Sequence, residues 1–567
     1  MSALFRPTSR DTMYKHSIRS STRSTLAIAI TLALGASLAA CGGKDYRDTS
    51  TAPVAPVEPV APARILNVVA ATGKAVANAS VTVLDAGKNA VGSGTTDANG
   101  KAAITLAATA KAPFLVSVTP AGGTTLYALS LKESAVNLTP LTSVIAMQLL
   151  GSIPSSVSPA SLAAIDAARL QTAQTQLGTA LAAPLQTLGM AASYDFINGP
   201  LTPNSKDPAD VLLDNLQVKQ NGTDIDIVNA SGSIVAQIID GGAPLATGKS
   251  VLETPPVLSA RQQVLAATAA GTDAAPVFLQ VSLDELHPTQ PAIGYDQVYY
   301  KLGRYGAEDL VMAKTNKPKK FAELCEANGQ DDVVSKTANV AGATLTNPPA
   351  TFQCKAAVGT KPGDMKTVVI GPNGTLYLTD GHHTFSAFRD ADNGQNHQLK
   401  VWVKVTDNFS KLNEYDFWAQ MKKVNKVWLK DGGNKAIATS QLPASIGLKS
   451  LGNDPYRSLV YFTRDAGYVV PSTATEFLEF YWADWLRTQA GIDLAKTDTR
   501  DAASYMATIK SASTAMVGLK ANDIVSRGVT AQTLGWTGVF SQAALDDLVT
   551  PTGKLTYSIT YKKSLAK

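Results

Sequence analysis

The residue types best suited to chemistry lie together in one short stretch, Asp380-Gly381-His382-His383. The chain has only five histidines, and two of them are adjacent here. Histidine can serve as an acid, a base or a ligand near neutral pH, and a carboxylate beside it could hold a divalent metal. The stretch therefore predicts a catalytic or binding site. The alternative interpretation is structural: Asp380 caps a helix and both histidines pack.

Two strands and a helix must position this motif. Residues 367–370 form a β-branched run, and Leu376–Leu378 reads as the returning strand. Asn373-Gly374 between them predicts a hairpin turn, because both residues tolerate positive φ. Residues 384–388 indicate the start of a helix. The motif thus falls at a helix N-terminus, where unpaired N–H groups and a partial positive charge suit an anion such as phosphate.

Three ordered landmarks carry a resemblance to a known family. They are Asp-Gly-His-His at 380–383, Leu-His-Pro-Thr-Gln-Pro at 286–291, and Asp-Pro-Tyr-Arg at 454–457. Over roughly residues 277–487 the chain resembles the ParB/sulfiredoxin superfamily, most closely its ParB-like nuclease branch. The resemblance implies an α/β domain in which a strand-hairpin-strand unit leads into the motif and a helix.

The resemblance also implies a site that binds or acts on a phosphate-containing ligand. The expected catalytic residues are Asp380, His382, His383, Glu285 and His287. The expected ligand-binding residues are Gly381, Thr384, Gln290, Lys301 and Arg457. His382 is expected to face the cleft, and a divalent metal is expected between Asp380 and Glu285. Arg457 could grip an anion bidentately or form a structural pair with a carboxylate.

Departures from the relatives limit the chemistry. Sulfiredoxins carry Gly-Cys-His-Arg at this motif, and His382 replaces the reactive cysteine, so sulfinic-acid reduction is not supported. ParB proteins carry a Gly-Glu-Arg-Arg box, and the absence of arginine beside Thr384 weakens a phosphate grip. The leading hypothesis is a nuclease or phosphoester hydrolase. The alternative is a non-catalytic cell-envelope binding or adhesion protein that retains the fold.

Residues 1–40 indicate a targeting segment. Five basic residues precede an apolar run at 26–38, which is too short to span a membrane. The run ends in Leu-Ala-Ala-Cys, which resembles a bacterial lipobox with Cys41 as the lipidated residue. Gly42 after it favours the outer membrane, facing the periplasm. The alternative is an ordinary signal peptide with an incidental cysteine.

Removal of this segment changes the charge balance. The whole chain carries a formal +5, but residues 1–40 hold five basic residues and one acidic one, so the mature chain is near +1. A nucleic-acid binder must neutralise many phosphates, and this balance does not favour nucleic acid as the partner. The mature chain is therefore predicted to bind the membrane through its lipid. Nucleic acid stays open as a second partner.

The rest of the chain predicts a multidomain α+β protein. The expected parts are a proline-rich tether at 41–63, a small immunoglobulin-like β-sandwich at 64–136, a mixed helix and strand module at 137–240, a linker at 241–276, and the α/β domain with a helical extension at 277–567. The sandwich resembles carboxypeptidase-regulatory-like domains, which are usually spacers. The middle module contains no histidine.

Three further patterns leave alternatives open. Cys325 and Cys354 favour a disulfide in an exported chain, worth about 3 kcal/mol by loop entropy, over a zinc pair. The four lysines of residues 314–320 favour a solvated face over a phosphate-binding strip. The aromatic residues at 476–487 favour a core helix over a base-stacking platform.

Overall fold

The computed structural model describes residues 63–306, 318–334 and 342–565, which belong to one compact unit beginning at Pro62. The predicted signal segment, Cys41, nearly all of the tether and lysines 314 and 317 lie outside the described residues. Within the described ranges, no helix is both long enough and apolar enough to cross a membrane.

The first seven strands form two sheets over a shared core. Their bounds are β1 Ile65–Ala70, β2 Ser80–Leu84, β3 Ala90–Thr95, β4 Lys101–Thr105, β5 Phe114–Val118, β6 Leu126–Ser130 and β7 Ala135–Leu138. One sheet has the order β4-β1-β7, and the other has the order β3-β2-β5-β6. Side chains from both sheets, such as Val68 and Val116, meet in one cluster. This arrangement is consistent with the predicted β-sandwich, while the immunoglobulin-like assignment stays a prediction.

A mixed module follows without a break in packing. Its helices are α1 Pro140–Leu150, α2 Pro159–Ala163, α3 Ala167–Ala180, α4 Ala182–Thr187 and α5 Pro208–Asn215. Its antiparallel strands are β8 Leu216–Asn221, β9 Asp224–Asn229, β10 Ile234–Ile238 and β11 Leu245–Ala246. Thr139 and Thr142 close a capping box at the start of α1, with Pro140 at the first helical position. Leu115 and Leu129 of the preceding sheets join this module's core.

The segment at 241–276, predicted to be a linker, contains two short elements of secondary structure, while its stretch at 254–257 is exposed. These elements are β11 and the helix α6, Ala260–Ala267. The side-chain amide of Asn408 donates to the carbonyl oxygens of Ala266 and Thr268 at 3.1 and 2.6 Å. Composition alone suggested a flexible connection, but these hydrogen bonds and the burial of Leu265 fix α6 to the C-terminal domain.

The C-terminal domain is built on a mixed five-stranded sheet. Its elements are β12 Val277–Ser282, β13 Leu286–Pro288, β14 Ala292–Ile293, α7 Tyr295–Arg304, α8 Lys319–Ala327, β15 Lys366–Ile370, β16 Leu376–Leu378, α9 His382–Gly394, β17 Lys400–Asn408, α10 Glu414–Lys423 and β18 Gly452–Asn453. The sheet order is β12-β17-β15-β16-β13, with β14 and β18 paired separately. β15 runs antiparallel to β16, and β16 runs parallel to β13.

The two faces of this sheet have different neighbours. Leu376 and Leu378 point to a core shared with α7, α8 and α9. Val369 and Tyr377 point to the other face, against Phe417 of α10. Alternation along each strand therefore separates the α9 side from the α10 side.

A helical extension completes the chain. Its elements are α11 Pro455–Thr463, α12 Leu478–Leu486, α13 Ala502–Val517, β19 Ile524–Ser526, β20 Val529–Thr530, α14 Gln542–Asp547 and α15 Lys554–Ser564. The aromatic residues of α12, including Trp482, are buried in its core. That placement agrees with the core interpretation of this segment.

The predicted disulfide is present. Cys325 of α8 is bonded to Cys354, with their Cα atoms 5.6 Å apart. The bond fixes α8 to the irregular segment that precedes β15, so the zinc-pair alternative does not apply.

Candidate functional site

The β15–β16 hairpin places Lys366 beside the motif. Val368 pairs with Leu378, and the same antiparallel register carried outward puts Lys366 opposite Asp380. Nζ of Lys366 lies 3.7 Å from Oδ2 of Asp380. The Asp380 side chain is 61% exposed, so this carboxylate is available to a ligand.

Gly381 is required where the strand turns into α9. Its φ of 109° lies in the region that favours glycine, and a Cβ there would lie 2.6 Å from Cγ of Lys366. The helix begins without a side-chain cap, so Asp380 does not cap it. No described residue accepts a hydrogen bond from the N–H of His382, His383 or Thr384. These three groups are the donors that a helix start leaves unpaired.

Both histidines of the motif are buried rather than turned to a cleft. Nε2 of His382 accepts the N–H of Thr289 at 3.2 Å, and Nε2 of His383 accepts the N–H of Gly294 at 3.0 Å. Burial, together with Arg457, lowers the pKa of His382 to about 3 and holds the pKa of His383 well below its usual range. Both imidazoles are therefore neutral. The expectation that His382 faces the cleft is wrong, because its 3% exposure and its backbone partner make it a core acceptor.

Glu285 and His287 do not face the motif. β13 runs parallel to β16. Glu285 lies just before the paired residues and Asp380 lies just after them, so the two residues are about 15 Å apart along the strand direction. Glu285 is occupied by the Arg261 guanidinium, at 2.8 Å, and by the N–H of Ser282, at 2.7 Å. His287 lies over Tyr377, with ring centroids 5.9 Å apart, on the α10 side of the sheet. The sequence could not show that the parallel pairing sends these residues to another end and another face.

Two further predicted ligand residues are interior. Gln290 is buried and donates to the carbonyl oxygen of Ala292 at 2.8 Å. Arg457 is also buried, and its Nη2 lies 3.3 Å from Oε2 of Glu479. The geometry fits the structural ion-pair interpretation of Arg457 rather than a clamp on an anion in the cleft.

Lys301 and Thr384, by contrast, line one polar cleft of about 450 Å³ together with Lys366. Nζ of Lys301 donates to Oε2 of Glu323 at 2.7 Å. Burial would raise the pKa of Glu323, but Lys301 and the Tyr305 hydroxyl outweigh burial and lower it. The cleft is also lined by the acidic residues Glu326, Asp331 and Asp364. It therefore offers both signs of charge beside the start of α9.

The predicted metal site does not fit. Asp380 and Glu285 lie at opposite ends of the β13–β16 pair, so they cannot share an ion. The described ranges also contain no cluster of three His, Cys, Asp or Glu side chains placed to hold a metal. No chemistry is assigned here to a metal.

A carboxyl group near Asp380 was missed by sequence reasoning. Glu476 is half-buried, and burial raises the pKa of its carboxyl group. The charge of Lys426 lowers this pKa, and the charges of Asp380 and Asp407 raise it. The next residue, Phe477, has a φ of 59°, which is uncommon for a non-glycine residue. No motif in the sequence linked Glu476 to Asp380, because 96 positions separate them.

Lys366 could have been found from the sequence. Counting outward from the Asn373-Gly374 turn places Lys366, the first residue of β15, opposite Gly381, one position from its partner Asp380 in the structure. Glu323 gave no such signal, since its partner Lys301 belongs to another helix.

Comparison with known proteins supports the domain assignment. Residues 279–488 match the family model described as "Putative ParB-like nuclease". No curated protein matches the chain. The solved structure of protein Atu1540 from Agrobacterium tumefaciens is 23% identical over 47% of this chain and 100% of that chain, with a TM-score of 0.29, too low for a structural argument. The matched residues run from β12 to just past α12 and include the motif and the cleft-lining residues Lys301, Lys366 and Thr384, so this chain carries a ParB-like nuclease domain.

Proposed function

We propose that this protein is an exported lipoprotein whose ParB-like domain binds a phosphate-containing ligand at the start of α9. Three features meet there: the N–H groups of residues 382–384, the hydroxyl of Thr384, and the cations Lys301 and Lys366. A helix N-terminus attracts anions through these donors and its partial positive charge. The single observation that carries the proposal is that Thr384 and Lys366 line the same cleft.

The acidic residues of the cleft restrict the ligand. A bare anion would share the cleft with the carboxylates Glu326, Asp331 and Asp364, while Lys301 is already paired with Glu323. A ligand with hydroxyl or cationic groups beside its phosphate would satisfy these carboxylates. We therefore propose a small phosphorylated molecule rather than a long nucleic acid.

Binding is better supported than hydrolysis. The two buried histidines accept backbone N–H groups, so neither can take a proton from water in the cleft. Hydrolysis of a phosphoester is the second candidate, favoured by the exposed Asp380 carboxylate near Glu476, whose pKa is raised. In that case Asp380 would act as the base and Glu476 as the acid.

The binding proposal is tested by thermal shift with inorganic phosphate, a mononucleotide and a short single-stranded DNA. A bound ligand raises the melting temperature by mass action. We expect Lys366→Gln to weaken binding by about tenfold, because a charge-assisted hydrogen bond is lost. Lys361→Gln is the matched control, since Lys361 is exposed and does not line the cleft. Equal responses of both variants would reject the site.

The hydrolysis candidate is tested with bis(p-nitrophenyl) phosphate and single-stranded DNA. Turnover that disappears in both Asp380→Asn and Glu476→Gln would establish it. Turnover that survives both changes would come from another group, and no turnover by the wild type leaves binding as the function.

The lipoprotein proposal is tested by fractionation. Cys41→Ser should move the protein from the membrane fraction to the soluble periplasmic fraction, because the acyl chains would be lost. A variant that stays with the outer membrane would show that another contact holds it there.

A further inference from the structure

A second cavity lies away from the motif, between the middle module and the ParB-like domain. Its volume is about 680 Å³, and it is lined by residues between 231 and 256 and by residues between 372 and 417. This volume falls in the range of small-molecule sites, which are often found between domains. Neither wall encloses the cavity alone, so a site there would depend on the two modules staying together.

Tyr377 lines this cavity as part of an aromatic cluster. It is half-buried, and its ring centroid lies 4.7 Å from that of Phe417 and 5.3 Å from that of Trp418. These contacts hold the ring in one orientation. Leu252, 63% exposed, adds an apolar wall. The rings of Phe417, Trp418 and His287 pack against the Tyr377 ring, so the C–H groups of a ligand would contact Leu252 instead.

Several polar groups of the lining have no hydrogen-bond partner among the described residues. No described residue hydrogen-bonds the Tyr377 hydroxyl, the Asn373 side-chain amide, or the hydroxyls of Thr254 and Thr375. Hydroxyl and amide groups each donate and accept. Asn373 is exposed and held at a φ of 60° in the hairpin turn. The lining therefore presents several neutral donors and acceptors beside an apolar wall.

The charges in the lining disfavour an anion. Among the described residues of the lining, Lys249 is the only cation, and it is paired with Glu414. The other carboxylate of the lining, Glu253, accepts a hydrogen bond from the Asn229 side-chain amide at 3.4 Å. A phosphate would therefore find no unpaired cation here, whereas a neutral hydroxyl-rich molecule would meet groups of matching chemistry.

We infer that this cavity binds a neutral carbohydrate. The sugar's C–H groups pack on Leu252, and its hydroxyls bond to the Tyr377 hydroxyl, Asn373, Thr375 and Thr254. The inference is independent of the phosphate site, because no residue lines both the cavity and the cleft.

The test is titration calorimetry of the full-length protein with two neutral trisaccharides, maltotriose and N,N′,N″-triacetylchitotriose. We expect at least one to bind with a Kd below about 1 mM. Tyr377→Phe and Asn373→Gly should each weaken binding about fivefold, since each loses hydrogen bonds while the ring or the backbone conformation is kept. Asn78→Gly is the matched control, an exposed asparagine with a φ of 54° outside the cavity.

Lys366→Gln should leave sugar binding unchanged and Asn373→Gly should leave phosphate binding unchanged, so failure of one site is distinguishable from failure of the other. The inference is overturned if neither trisaccharide binds, if both cavity variants bind as well as wild type, or if a lysine-rich peptide binds the cavity in preference to the sugars.

Discussion

Nε2 of His383 accepts the backbone N–H of Gly294, 89 positions earlier in the chain, across 3.0 Å. This bond ties the start of α9 to the start of α7. It requires that Nε2 carry no proton, so the imidazole proton resides on Nδ1. The other histidine of the motif, His382, accepts the N–H of Thr289 in the same way, so the pair fastens two separate turns to one helix.

We predict that His382→Ala and His383→Ala each lower the free energy of unfolding by about 2–3 kcal/mol. Each change leaves a buried backbone N–H unsatisfied. Urea denaturation measures the loss, and His397→Ala, an exposed histidine, should change stability by less than about 0.5 kcal/mol. A His382→Ala protein with wild-type stability and no ligand response would instead place that histidine in the site.

The same burial predicts a dependence of stability on pH. Burial, and then the charge of Arg457, depresses the pKa of His382 from 6.5 to about 3 in the folded protein. As pH falls below 6.5, the unfolded chain binds protons first, so stability is full above that value and is lost toward pH 3. Between pH 7 and 5 the loss is about 2 kcal/mol for His382. Urea denaturation at both pH values measures it, and His382→Gln, which keeps an acceptor without titrating, should reduce the difference.

Gly381→Ala should destabilise the protein by about 2–3 kcal/mol and abolish the phosphate response. The added Cβ would combine an unfavourable φ of 109° with a contact 2.6 Å from Lys366 Cγ. Gly394→Ala is the matched control at the other end of α9, where φ is 74° and no atom lies within 4 Å. It should lose only about 1 kcal/mol. Equal losses in the two variants would mean that the Lys366 contact does not matter.

Loss of the disulfide should lower the free energy of unfolding by about 3 kcal/mol, because the link closes a loop with a sequence separation of 29. Cys354→Ser is the suitable change, since Cys325 is fully buried. Reductant should reproduce the loss in the wild type and have no effect on the variant. A variant as stable as the oxidised wild type would show that the loop adds nothing.

Local sequence signals predicted the local structure around the site. The Asn373-Gly374 turn, the strands beside it and the helix start after Gly381 follow from the preferences of neighbouring residues. These preferences act between residues a few positions apart, so the local structure that they favour is also the structure in the folded protein.

The roles of the motif residues could not be predicted in the same way. Whether His382 faces solvent depends on Thr289, and whether Glu285 reaches Asp380 depends on the direction in which β13 pairs with β16. Both are set by contacts between segments distant in sequence. The segment at 241–276 shows the same limit, since its composition indicated a linker while Asn408 and α6 determine its packing.

Val228 and Ile234, which precede the family match, pack in one cluster with Val369, Phe417 and Trp418 of the ParB-like domain. Glu414 also accepts the N–H of Ile234 at 2.8 Å. A fragment trimmed to the limits of the family would uncover this apolar surface and lose the turn that covers it. Such a fragment should self-associate when expressed alone. The stretch that the family model matches, residues 279–488, is therefore shorter than the unit that buries this apolar surface.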